Sequence, residues 1–215
     1  MSRFRRQPLY ILAGGRSQRM GRPKALLPFP KRPLLVVLAE RLASVYSDWW
    51  IVASVATAPL LEKTLSDYRL TAHLLLDDRP NGGPLAGIER AACHARHLGA
   101  LRWLVVPCDM PLLTTAFLER LAAAFPAAPA VAPVSATSCI TGVCAAYSPA
   151  VQPALSAFLD SGRRRVQDFL DLVGAARLPF PAYADLPHAD RLLFNLNTPD
   201  DYRQAMEVWK EEDKG

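Results

Sequence analysis

Short, continuous apolar runs alternate along the chain with longer stretches whose apolar positions recur every three or four residues. Residues 8–13, PLYILA, are apolar without interruption and end in glycine, the pattern of a strand buried on both faces. After Pro33, a residue suited to a first helical turn, Leu34, Leu35, Leu38, Leu42 and Val45 predict a helix over 33–46. The alternation continues with WWIVASV as a strand, a short helix over 58–66, AHLLLD as a strand and a helix over 84–97. LRWLVVPCD then reads as a strand running into a loop, followed by a helix from Thr114 or Thr115 to Phe125. Strand, helix, strand in regular order predicts an α/β fold, a doubly wound, mainly parallel sheet with right-handed crossovers and helices on both faces. Beyond Pro126 the pattern loosens. APAVAPV and GVCAAYS read as strands near the sheet edge and 149–160 and 164–173 as helices, and NTPDD introduces a last helix with Thr198 as cap and Pro199 in its first turn.

The length, 215 residues, supports one sizeable core, so a single domain over 1–215 is expected, with 1–7 flexible ahead of the first strand. The net charge of +5 is moderate, and its basic residues gather at 3–6, 16–32 and 163–165. That distribution favours a phosphate-bearing small partner over nucleic acid. Cys93, Cys108, Cys139 and Cys144 have no C-x-x-C spacing and read as reduced thiols. The basic start followed by an apolar run imitates a leader, but the run is only strand-length and Arg16 follows with no A-x-A site. With no membrane-length apolar stretch either, a cytoplasmic location is expected. His94 and His97 share a helix face, and surface placement is expected for them rather than a metal site.

Candidate chemistry concentrates in LAGGRSQRMGRPK, residues 12–24, with three glycines and four cations after the first strand. In an open parallel sheet ligands bind beyond the carboxyl ends of the strands, where this loop lies. Gly14 and Gly15 let backbone amides approach an anion, and Arg16, Arg19, Arg22 and Lys24 surround them with charge. The loop is neither a Walker A loop, since no Ser or Thr follows Lys24, nor G-x-G-x-x-G. Asp109, in PCDMP just past the strand WLVV, belongs to the same edge and can hold Mg²⁺, which takes one or two protein carboxylates and leaves positions for phosphate oxygens. NGGPLAGI is a second glycine-rich helix start, SGRRR a basic cluster, and NLNTP carries Asn195 and Asn197 two apart, on one side of an extended segment. Cys108 reads as a small core residue rather than a nucleophile.

LAGGRSQRMGRPKALLP resembles the L-x-x-G-x-x-x-R-M-x-x-x-K signature of the nucleotidyltransferases that activate sugars and cofactors. GGPLAGI at 82–88, PCDMPLL at 107–113 and FNLNTPDDY at 194–202 bring it close to the molybdenum cofactor guanylyltransferases, so the resemblance runs from residue 9 to about 205. It implies a Rossmann-like nucleotidyltransferase with a nucleotide-binding part over 8–125 and an acceptor-binding part over 126–215. On the nucleotide side it implies that the backbone of Leu12, Ala13, Gly14 and Gly15 reads the base and supplies amides. Lys24 and Arg19 steady the phosphates, Asp109 binds Mg²⁺, and Gly83 with Asp77, or Asp78 in its place, lines the nucleotide pocket. On the acceptor side it implies Arg164, Arg165, Asn195 and Asn197.

The chemistry so implied is Mg²⁺-dependent transfer of GMP from GTP to the phosphate of molybdopterin, with or without molybdenum, releasing pyrophosphate. Molybdoenzymes or their chaperones would be further partners, and neither nucleic acid nor membrane is expected. Two alternatives stay open, a cytidylyltransferase for the same cofactor or another small-molecule nucleotidyltransferase, and a non-catalytic protein that binds and delivers the cofactor. Three departures bear on them. Pro23 and Ala25 flank Lys24 where the family has an acidic neighbour, Ala53 stands where an asparagine is usual, and SCITGV lacks the usual His-Pro or Gln-Pro pair.

Overall fold

The computed structural model describes residues 7–14, 23–43, 46, 48–77, 79, 81–125 and 128–212. Gly15, Arg19, Asp78 and all but the last of the residues expected to be flexible at 1–7 lie outside them. Seven strands are placed: β1 Leu9–Leu12, β2 Trp49–Ser54, β3 His73–Asp77, β4 Trp103–Pro107, β5 Ala130–Pro133, β6 Ala145–Tyr147 and β7 Ala176–Leu178. Between and after them run α1 Leu34–Ala43, α2 Ala58–Asp67, α3 Gly83–His97, α4 Thr115–Ala123, α5 Gln152–Asp160, α6 Val166–Leu172 and α7 Pro199–Glu212.

All seven strands form one sheet in the order β3-β2-β1-β4-β6-β5-β7. Pairing is parallel except where β6 meets β4 and β5. β6 therefore runs against its neighbours, and β5 points the same way as β1 and β4. The sheet is thus the expected mainly parallel one, with helices on both faces. The strand β7 was not expected, because three residues, one of them Arg177, carry no readable periodicity.

The uninterrupted apolar run of β1 is explained by its two faces. Leu9, Ile11 and Ala13 join a core with residues of α1, α2 and α4, whereas Tyr10 and Leu12 join a second core with residues of α3, α5 and α6. Successive side chains of a strand point to opposite faces, so a strand covered on both sides has no polar positions. His94 departs from its expected surface placement. It is half-buried against the second core, where its Nδ1 lies 3.0 Å from the Tyr10 hydroxyl and its ring 4.7 Å from Trp50. Burial, then Arg90, pushes its pKa down.

A third, smaller cluster ties the carboxyl-terminal helix to the segment following the glycine loop. Phe29 meets Tyr202 and Trp209 edge-on at 5.8 and 5.2 Å, and Arg41 lies 4.2 Å over the Trp209 ring. All four cysteines are free. Among the described residues no helix is long and apolar enough to cross a membrane.

Candidate active site

A cleft of about 1030 Å³ opens along the carboxyl ends of β1, β4 and β5. Three wall segments follow from the topology. Leu12, Ala13 and Gly14 leave β1, Cys108, Asp109 and Met110 leave β4, and the hairpin between β5 and β6 contributes Ser135, Thr137, Cys139 and Thr141. Two further segments close it, the short 3-10 turn Lys24–Leu26 and the stretch from Asp190 to Asn197.

Gly14 is tightly seated. A Cβ there would come within 3.2 Å of the Ser54 backbone nitrogen, so any larger residue would have to push the end of β2 aside by a few tenths of an ångström. Part of the backbone in this stretch is already used, since Ala13 N–H donates to the Val52 carbonyl and Cys108 N–H to the Leu12 carbonyl.

At the head of the cleft Lys24 Nζ donates to Asp109 Oδ2 at 2.9 Å and to Asn197 Oδ1 at 2.7 Å. Residues 85 and 173 positions away in sequence thus converge on one ammonium. Each is held by local structure. Hydrogen bonds from Leu26 N–H to the Pro23 carbonyl and from Leu27 N–H to the Lys24 carbonyl close the turn, and Ala25 is buried beneath it. The Leu196 amide donates to the Asp109 carbonyl at 2.9 Å, which pins the segment carrying Asn197 alongside the end of β4.

Asp201, also in the cleft wall, fixes this segment from the other side. Its Oδ2 accepts from the amides of Asn197 at 2.9 Å and Thr198 at 2.8 Å, while its own amide donates to Thr198 Oγ1 at 3.1 Å. This is a reciprocal capping box at the start of α7. The spacing T-x-x-D in TPDD carried that signal, although only Thr198 was read from it. Burial of Asp201 disfavours its charged form, but donation from the Asn197 and Thr198 amides and the Thr198 hydroxyl, with Lys24 nearby, holds its pKa below the usual 3.8. A carboxyl with a depressed folded-state pKa contributes stability above its unfolded pKa, and that stability is lost as pH falls through the folded value. Asp201→Ala is therefore expected to cost about 1 kcal/mol at neutral pH. Urea unfolding at pH 7 and pH 3 should show the difference between variant and wild type shrinking in acid.

The other expected site residues divide. Asn195 lines the cleft with Asn197. Asp77 lies at the end of β3, accepts the Arg79 amide at 3.1 Å and is not in the cleft wall. Gly83 has φ +61° and open space around its Cβ position, so it serves the turn into α3, while Pro84 reaches the cleft. Arg164 and Arg165 are also outside the wall. The Arg164 guanidinium donates to the carbonyls of Asn81, Leu159 and Arg163, and Arg165 is an exposed side chain 3.6 Å from Asp168. Ala53 is fully buried and the Ser54 hydroxyl bonds Thr57 at 2.9 Å, and neither lines the cleft. The cleft does carry one arginine that sequence reasoning missed, Arg191, beside Asp190.

Cys108 borders the cleft but is buried, and burial followed by the neighbouring Asp109 pushes its pKa strongly up. A thiol kept protonated is a poor nucleophile. Among the described residues no group of three or more His, Cys, Asp or Glu side chains gathers to hold a metal. The Asp109 carboxylate in the cleft wall fits Mg²⁺, which takes one or two protein carboxylates, keeps waters and accepts substrate oxygens, and the ammonium on Asp109 shows that this point accommodates positive charge.

A family model described as the MobA-like NTP transferase domain matches residues 9–175. The molybdenum cofactor guanylyltransferase of Cereibacter sphaeroides is 33% identical over 196 residues, covering 91% of this chain and 93% of that protein. The molybdenum cofactor guanylyltransferase of Rhizobium meliloti (strain 1021) is 32% identical over 206 residues, covering 94% and 91%. The crystal structure of molybdopterin-guanine dinucleotide biosynthesis protein A from Archaeoglobus fulgidus is similar in fold, with a TM-score of 0.76, 24% identity and coverage of 95% of this chain and 100% of that one. With the cleft at the carboxyl edge and Lys24, Asp109 and Asn197 drawn together in it, these matches lead to one conclusion: the chain belongs to the MobA-like NTP transferase family and is a nucleotidyltransferase.

Proposed function

We propose that the protein transfers GMP from GTP to the terminal phosphate of molybdopterin and releases pyrophosphate. The observation that carries this reading is the convergence of Lys24, Asp109 and Asn197 at one end of a cleft bounded by the glycine turn after β1. The names of the relatives supply the guanylyl group and the acceptor.

In this reading the acceptor phosphate oxygen attacks the α-phosphorus of GTP in line, and the bond to the β-phosphate oxygen breaks. Ala13 N–H and the Leu12 carbonyl are bonded within the sheet, so among the described residues the Ala13 carbonyl and the Gly14 amide are the groups assigned to meet the base or phosphates. Lys24 neutralises charge that builds on the phosphate oxygens, and Asn197 holds its ammonium in place without adding charge. Arg19 and Gly15 belong to the same loop and are assigned the phosphates with it. Asp109 is the residue that would hold Mg²⁺, whose contribution is to neutralise oxygens of the transferring and leaving phosphates. No side chain forms a covalent intermediate, in keeping with the protonated Cys108 thiol.

The test is pyrophosphate release by the purified protein with molybdopterin, Mg²⁺ and, in turn, GTP, CTP, ATP and UTP. Turnover at least tenfold faster with GTP, together with a guanylated pterin product, is the expected result. Preference for CTP would replace guanylyl by cytidylyl transfer, and tight cofactor binding without product would make the protein a carrier.

A further inference from the structure

We propose that Arg191 forms an anion-binding subsite for the acceptor's phosphate on the far side of Asp109 from the glycine turn, an inference that rests on the guanylyl-transfer reading above. At about 1030 Å³ the cleft is at the upper limit of what one small molecule usually fills, ~300–1,000 Å³, so it has room for a nucleotide and a second substrate. Its cations among the described residues are Lys24 and Arg191. Lys24 already bonds Asp109 and Asn197, so among the described residues Arg191 is the cleft cation placed to meet the second substrate's negative charge.

The path of the chain places Arg191 on the acceptor side. Tyr183 anchors one end of its segment beyond β5, where the phenol donates to the Val134 carbonyl at 2.7 Å. The Leu196 amide anchors the other end on the Asp109 carbonyl. Arg191 lies between these anchors, five residues before Leu196, and five residues extend at most about 17 Å. A turn shortens that reach, since the Phe194 amide donates to the Arg191 carbonyl at 3.0 Å. Arg191 therefore belongs to a segment strung between the β5 and β4 ends of the sheet and lines the same cleft as Asp109 and the hairpin hydroxyls, whereas β1, where the nucleotide is assigned, lies on the other side of β4.

Its guanidinium is also available. Among the described residues its one side-chain partner is the adjacent Asp190, through Nε at 3.2 Å, with the two side chains 44% and 58% exposed. An exposed pair of this kind holds weakly, and a phosphate offers the planar fork two oxygens and more charge than one carboxylate. By contrast, the Arg164 guanidinium is already held by three backbone carbonyls.

Steady-state kinetics on the full chain, varying GTP and molybdopterin separately, test the subsite. Arg191→Ala is expected to raise KM for molybdopterin tenfold or more and leave KM for GTP within twofold. Arg191→Lys should recover part of the loss as a point charge, and Arg191→Glu should exceed the alanine variant. Unfolding midpoints equal to wild type would confirm that these exposed substitutions leave the fold intact. A rise in KM for GTP instead would assign Arg191 to the triphosphate and overturn the proposal, as would no change in either KM with an active wild type. A wild type that makes no guanylated pterin fails at an earlier step, overturning the guanylyl-transfer reading and this subsite with it.

Discussion

Replacing Asp109 with asparagine is expected to lower the rate of GMP transfer about a thousandfold or more and to weaken binding of a divalent cation in the presence of nucleotide. Several kcal/mol of charge neutralisation are at stake, and each 1.4 kcal/mol is a factor of ten. Asparagine keeps the volume and can still accept from Lys24, so the substitution removes charge with little change of shape. The Leu196 amide bonds the backbone carbonyl at 109 and not the carboxylate, so the segment carrying Asn197 stays pinned. The fold should accordingly survive, with an unfolding midpoint near wild type. Titration with Mn²⁺ followed by electron paramagnetic resonance, in the presence of GTP, gives a readout independent of turnover. Undiminished cation binding by the variant would remove Asp109 from the role assigned to it.

Lys24→Ala carries the second largest effect, a fall of about a hundred- to a thousandfold in kcat, the usual consequence of removing one fixed donor from developing charge. Two losses combine. The phosphates lose a cation, and Asp109 loses its 2.9 Å partner and presents an uncompensated carboxylate to an anionic substrate. Because that second loss depends on Asp109, the double variant with Asp109→Asn should fall less than the product of the two single effects. Lys24→Arg should restore little, since a compact ammonium bonded to both a carboxylate and an amide oxygen is not matched by a planar fork. Single-turnover rates with saturating GTP separate this loss from weaker binding. Turnover within twofold of wild type would refute the assignment.

Much of the architecture could be read directly from the chain. β1 and β4 lack polar positions because they are central strands covered on both faces, and that lack is itself the mark of a parallel sheet, whereas β3 at the sheet edge leaves His73 and Leu76 exposed. Asp109 was legible because it sits two residues beyond such a strand, and Lys24 because it closes the glycine loop that leaves one, so the topology assigns both to one edge. Legibility declined after Pro126, where the strands shorten to three or four residues and one runs against its neighbours.

The basic cluster at 163–165 shows what composition leaves undecided there. Its charge is evident in sequence, but Arg164 spends its donors on the carbonyls of Asn81 and Leu159, partners that only folding brings near. Arg191 is the reverse case, a single arginine in DRLL with no cluster to mark it, placed in the cleft because its segment is anchored at Tyr183 and Leu196.

The sequence by itself determined the layered α/β fold and the sheet edge to which Lys24 and Asp109 belong, since hydrophobic periodicity and glycine placement are local properties. Only the tertiary structure decided that Asn197 completes the group, that Asp201 secures it and which arginine faces the cleft, since each depends on contacts between residues brought together by a sheet whose strand order the chain's own order does not reveal.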